Sequence, residues 1–110
     1  MVDRLLPSQE AYDLIDLTRR FADNELRPVV DQADRNGVFP RETFRTLGRA
    51  GLLGLPYGEE FGGGGQPYEV YLQVVEEIGR AWAAVGVGTS VHVLSCFGLD
   101  FVGTDEQRQT

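Results

Sequence analysis

Residues 81–99, AWAAVGVGTSVHVLSCFGL, carry no aspartate, glutamate, lysine or arginine, and His92 is their only titratable side chain apart from the Cys96 thiol. How this stretch is read decides the fold. Its length approaches that of a membrane span, but Gly86, Gly88 and Gly98 together with Thr89, Ser90, His92 and Ser95 make it a poor one. A helix that is apolar on nearly every side instead belongs inside a helical assembly, with neighbours around it. The other helices available to a 110-residue chain are too short to wrap it completely. Its remaining face is therefore expected to dock against further protein or another subunit. The expected fold is all-α, an up-and-down helical bundle with this apolar helix at its centre.

The segments on either side carry helical signals of their own. Before it, Tyr71, Val74, Val75, Ile78 and Trp82 repeat at helical spacing after Pro67, with Glu69, Gln73 and Glu77 as polar neighbours. Near the N-terminus, Ser8 is a good N-cap, and Ala11, Leu14, Ile15, Phe21, Ala22 and Leu26 form an apolar face. Asp16, Arg19, Arg20 and Asp23 are expected to face water. Pro28 has no backbone donor, so it either kinks this helix or opens a second one carrying Val29, Val30 and Ala33. Asn36-Gly37 closes that helix, and Pro40 starts a short one through Phe44 and Leu47, which Gly51 ends in a left-handed cap. After the apolar stretch, Thr104 and Gln107 have capping-box spacing, with Asp105 and Glu106 in the first turn. That box starts a helix with almost no body.

Composition narrows the function. Ten basic against seventeen acidic residues give a net charge of -7, which repels nucleic-acid phosphates and anionic lipid headgroups. One cysteine and one histidine can form neither an internal disulfide nor a zinc cluster. The N-terminus lacks the apolar run of a signal peptide and carries acids that a transit peptide avoids. The expectation is a cytoplasmic protein with no membrane span and no metal.

Four features of the sequence are candidates for a site. The glycines at 62–65 lack the lysine-hydroxyl pair of a phosphate loop and open no helix after a strand, so a structural chain reversal is favoured. Glu76 and Glu77 point in different directions on a helix, one to water and one to an arginine such as Arg80. His92 and Cys96, four apart, share a face without a third orienting group, and are read as a packed core pair rather than a nucleophile. Val87, Ser90, Val91 and Leu94 also share a face. This stripe is either ordinary core or one wall of an apolar ligand's pocket. No residue emerges as a catalyst.

Taken in series, AGLLGLPYGEEFGGGG, YLQVVEEIGRAWAAVGVGTSVH and FVGTDEQRQT resemble the N-terminal helical domain of flavin-dependent acyl-CoA dehydrogenases. The likeness rests on a Gly-Leu-Leu approach to a proline, an acidic-aromatic-glycine loop, a Glu-Glu helix ending near an arginine, a Ser-x-His helix and a Gly-Thr-x-x-Gln lead-out. Tyr57 and Gly58 depart from it, standing where many members join the proline directly to the acids. The resemblance implies that residues 1–110 are one domain of a longer enzyme whose β-sheet and C-terminal helical domains are absent here. In such an enzyme a glutamate takes the α-proton of an acyl-CoA thioester while a hydride leaves the β-carbon for FAD, in an oligomer served by an electron-transfer acceptor. The base and most of the flavin contacts lie in the absent domains and a neighbouring subunit, so this stretch is expected to hold no FAD and no catalytic residue. What the resemblance places here is the acyl-pocket wall at Val87, Ser90, Val91 and Leu94, with Gly86 and Ser90 leaving room for the acyl group. The competing expectation is a non-catalytic helical oligomerisation or interaction module.

Overall fold

The computed structural model describes residues 3–110, which form helices and turns and contain no strand. The α-helices are α1 (Gln9–Phe21), α2 (Arg27–Asn36), α3 (Arg41–Arg49), α4 (Tyr68–Ala81), α5 (Ala83–Val102) and α6 (Asp105–Gln109). Ser8 caps α1 by accepting from the Ala11 amide at 3.1 Å. A π-helical turn, Ala22–Leu26, joins α1 to α2. This wide turn is how the chain accommodates Pro28: Arg27 donates to the Ala22 carbonyl, and the helix continues in a new register rather than breaking. Gly37 and Gly51 take the left-handed conformations expected of them, at φ 63° and 79°. Pro40 sits one residue before α3 instead of inside it.

The core gathers around α4. Val70, Tyr71, Val74 and Ile78 are buried there, against Ile15, Ala22 and Leu26 of the first helices, Leu47 of α3, and Leu52 and Leu55 of the stretch that follows. Trp82 is the hinge of the fold. It is an extended residue (φ -154°, ψ 96°) between α4 and α5, buried to 4% exposure, with its indole nitrogen unpaired. From there α5 turns back onto α4. The approach is so close that a Cβ on Gly86 would lie 2.9 Å from the Gly79 Cα. Gly86 is thus a seat for α4, not spare room for a ligand, and Gly88 likewise seats the Phe44 ring of α3. Only one face of α5 is covered, by way of Val85, Thr89 and Val93. The buried hydroxyls of Thr18 and Thr89 are satisfied by the carbonyls four residues back, at 2.8 and 2.9 Å.

One charged cluster enters this core. Glu77 is 3% exposed and accepts from Arg4 at 2.6 Å, Arg19 at 3.1 Å and Arg80 at 3.0 Å. Arg80 was foreseen, and Glu76 does face water. Arg19 was expected to face solvent, but its guanidinium instead folds inward, because a buried carboxylate needs donors. Burial alone would raise the Glu77 pKa; the hydrogen bonds from Arg4, Arg19 and Arg80 outweigh it and hold the carboxyl below its ordinary value of 4.5.

Two measurements test this packing. Trp82→Ala should cost roughly 3 to 5 kcal/mol in urea unfolding, and a loss under about 1 kcal/mol would contradict the hinge. Glu77→Gln should cost about 3 kcal/mol near neutral pH, the lower end for a broken buried pair because Arg80 can turn toward water. A depressed carboxyl pKa contributes stability in full above the unfolded value and loses it as pH falls through the folded value. The unaltered chain should therefore weaken in acid below pH 4.5, and the glutamine variant should show a flatter acid limb.

Candidate functional site

The site can be built outward from the rotation of α5. With Val85, Thr89 and Val93 turned to the core, the 3.6-residue period sends Val87, Ser90, Val91 and Leu94 to the opposite side. All four lie on one face, as their spacing requires. Val87, Val91 and Leu94 are 62%, 53% and 70% exposed, which excludes the reading of this stripe as ordinary core in the chain by itself. Ser90 is half-buried, and its hydroxyl donates to the Val87 carbonyl at 2.8 Å. The stripe therefore offers a ligand an apolar surface whose one polar atom is already satisfied. Phe97 and Phe101 extend it, their rings stacked at 5.5 Å, and Val102 is exposed at the same end.

On another side of α5 an open groove of about 350 Å³ runs between the helix, the 53–63 segment and α6. Here the expectation for His92 and Cys96 is corrected. They do lie together, Sγ to Nε2 at 3.6 Å, but His92 is exposed and Cys96 half-buried in the groove wall, so they are not a core pair. The 53–63 segment and α6 face this side of α5 only across the open groove, so they do not bury it. Burial still pushes the Cys96 thiol above its ordinary pKa, which disfavours the nucleophilic thiolate. Across the groove Tyr57 donates its hydroxyl to the Val93 carbonyl. Burial first, then the neighbouring Tyr68, push its pKa up to about 12, so it stays a donor. Among the described residues no group of three or more histidine, cysteine or acidic side chains could hold a metal ion.

The glycine run is structural, as expected. The amides of Gly62, Gly63, Gly64 and Gly65 donate to the carbonyls of Glu59, Gly58, Gly54 and Tyr57, which leaves none for a phosphate. A Cβ on Gly63 would fall 2.3 Å from the Tyr57 carbonyl oxygen, so the chain passes where no side chain fits. The Thr104–Gln107 capping box is complete, with Gln107 donating to Thr104 at 3.2 Å and Thr104 to Gln107 at 2.9 Å.

Residues 8–110 match the family described as "Acyl-CoA dehydrogenase, N-terminal domain". The chain belongs to this family. Among curated relatives, a probable acyl-CoA dehydrogenase of Bacillus subtilis is 38% identical over 96 residues, which cover 86% of this chain and 25% of the relative. The short-chain specific mitochondrial acyl-CoA dehydrogenase of Homo sapiens is 39% identical over 98 residues, covering 87% and 24%. Acryloyl-CoA reductase (NADH) of Anaerotignum propionicum is 36% identical over 94 residues, covering 86% and 24%. A chain in a solved structure concerned with the electron transferring flavoprotein of Acidaminococcus fermentans superposes with a TM-score of 0.89 at 29% identity, over 98% of this chain and 28% of that one. The acyl-CoA dehydrogenase domain described here thus spans about a quarter of the length of the relatives it matches.

Within this domain, the Tyr57 anchor and the Phe97–Phe101 stack went unread in the sequence. The first depends on a contact 36 residues away and has no local signal. The second could have been found, since Phe97 and Phe101 continue the stripe by the same helical rule. If the groove is as described, Cys96 should alkylate with iodoacetamide more slowly at pH 7 than a free cysteine, with the rate rising steeply above the ordinary thiol range. Fast labelling at neutral pH would mean a thiolate that these surroundings do not support.

Proposed function

We propose that this chain is the N-terminal domain of an acyl-CoA dehydrogenase type of flavoenzyme, and that the stripe Val87, Ser90, Val91 and Leu94 is one wall of its acyl pocket. One observation carries the reading: within the family domain, an uncharged helix face holds three large apolar side chains in the open around a serine with a satisfied hydroxyl. Such a surface suits a hydrocarbon chain once facing protein excludes water. Ser90, smaller than its three neighbours, would set a recess in that wall.

Neither the glycine loop nor the stripe fits a flavin. The glycine amides are spent on loop carbonyls, and the exposed stripe has no free donor to meet an isoalloxazine edge. FAD, the base and the electron-transfer acceptor would belong to other parts of an oligomeric enzyme, which we place in the cytoplasm. By length and composition α5 is also apolar enough to cross a membrane, with 20 residues and a mean hydropathy of 1.5. A pocket wall and a domain seam account for that apolarity without a bilayer.

The test is a chimera in which this chain replaces the matching quarter of the Bacillus subtilis relative. It should bind flavin and oxidise an acyl-CoA, and Leu94→Trp in the same background should shift preference toward shorter acyl chains at unchanged flavin content. An unaltered chain-length profile with full flavin would remove the stripe from the pocket. A chimera that folds yet oxidises no acyl-CoA would sink the assignment itself.

A further inference from the structure

Residues 3–7, ahead of the Ser8 cap, form no regular structure, yet Arg4 among them is tightly held. The Arg4 side chain is only 8% exposed. Its Nη2 donates to Glu77 at 2.6 Å and to Glu76 at 3.0 Å, its Nε to Glu77 at 3.3 Å, and its Nη1 to Gln73 at 3.3 Å. The backbone is tied as well. The Arg4 carbonyl accepts from the Tyr12 hydroxyl at 3.0 Å, the Leu5 carbonyl accepts from Gln73 at 3.3 Å, and Leu6 packs on the core. Arg4 and Leu6 of this segment, with Tyr12, Ile15, Asp16 and Arg19 of α1, line an open pocket of about 340 Å³.

We infer that residues 4–6 are a releasable strap, locked across the seam between α1 and α4 by the Glu77 carboxylate. The asymmetry of the charge cluster makes the strap separable. If Arg4 leaves, Glu77 keeps Arg19 and Arg80, so no buried carboxylate is orphaned and the helices stay closed. If the Glu77 charge is removed, Arg19 can turn to Asp16, already 3.9 Å away, and Arg80 to Asp23 at 3.3 Å. Arg4 then retains among carboxylates only Glu76, which is 64% exposed, and such a pair holds weakly in water. The strap is therefore the element that depends most on Glu77. Its release uncovers the seam while α1 and α4 remain packed through Ile15, Val74 and Ile78.

Trypsin cleavage of the Arg4–Leu5 bond reads the strap directly. Glu77→Gln should accelerate that cut by at least about tenfold more than it accelerates cleavage after the exposed Arg35 of α2, which follows the general loss of stability. Equal acceleration at both bonds would mean that Glu77 holds the whole fold, and no acceleration at Arg4 would mean that the segment needs no lock; either result overturns the inference. Arg4→Met provides the check should the glutamine variant not fold. It should move the Leu6 methyl resonances toward random-coil positions with α1 and α4 amide exchange unchanged. Faster exchange along both helices would overturn the strap.

Discussion

Everything in this domain is phased by the place where α4 and α5 touch. Gly86 lets the α5 backbone approach where a Cβ would collide with the Gly79 backbone of α4, and Trp82 supplies the one extended residue that turns the chain between them. A helix seated so closely has little freedom to rotate about its axis, because one residue of slip moves every side chain by about 100°. Fixing Gly86 against α4 and Gly88 against Phe44 therefore fixes which residues of α5 look inward and which look out. The open stripe from Val87 to Leu94 is thus a product of core packing, although none of its members belongs to the core.

The Glu77 cluster adds specificity of a different kind. Apolar faces of α1 and α4 could slide past one another at modest cost, since hydrophobic contact is non-directional. A buried carboxylate with three guanidiniums from three segments cannot slide, because any shift leaves a charge without its donor. The cluster favours the register in which Arg19 and Arg80 meet Glu77, with Arg4 added from the segment ahead of α1. The net contribution to stability is modest beside the cost of breaking the cluster, as burial works against the charge that the arginines restore.

How much of this could be read in advance follows from the range of each interaction. The helices were legible because their signals are local: the Ser8 cap, the Thr104 capping box, the Gly37 and Gly51 stops and the 3.6-residue apolar spacing all act within a few positions. That the stripe's members share a face was legible for the same reason, and counting how few helices could cover α5 showed that some face would stay open, but not that it would be this one. Arg19, Gly86 and the His92–Cys96 pair were misread because each depends on a neighbour distant in sequence or on the lack of one. A surface arginine and a carboxylate-bound arginine look alike until α1 is laid on α4. Likewise, a glycine that makes room and a glycine that lets a helix in differ only in what stands opposite.

An apolar face the size of the one on α5 is costly to leave in water, and extended apolar patches on a protein mark where it meets a partner or a ligand. The stripe offers shape and dryness: three hydrocarbon side chains, a small residue between them, and a hydroxyl turned back on its own helix. It offers no charge, no free donor and no titrating group, and the thiol and phenol nearby are both pushed toward their neutral forms. Acid-base or redox chemistry needs groups poised to gain or lose charge. On the proposed reading, a surface with none selects a substrate by its hydrocarbon part and excludes water around it, while the reacting groups stand on the facing side.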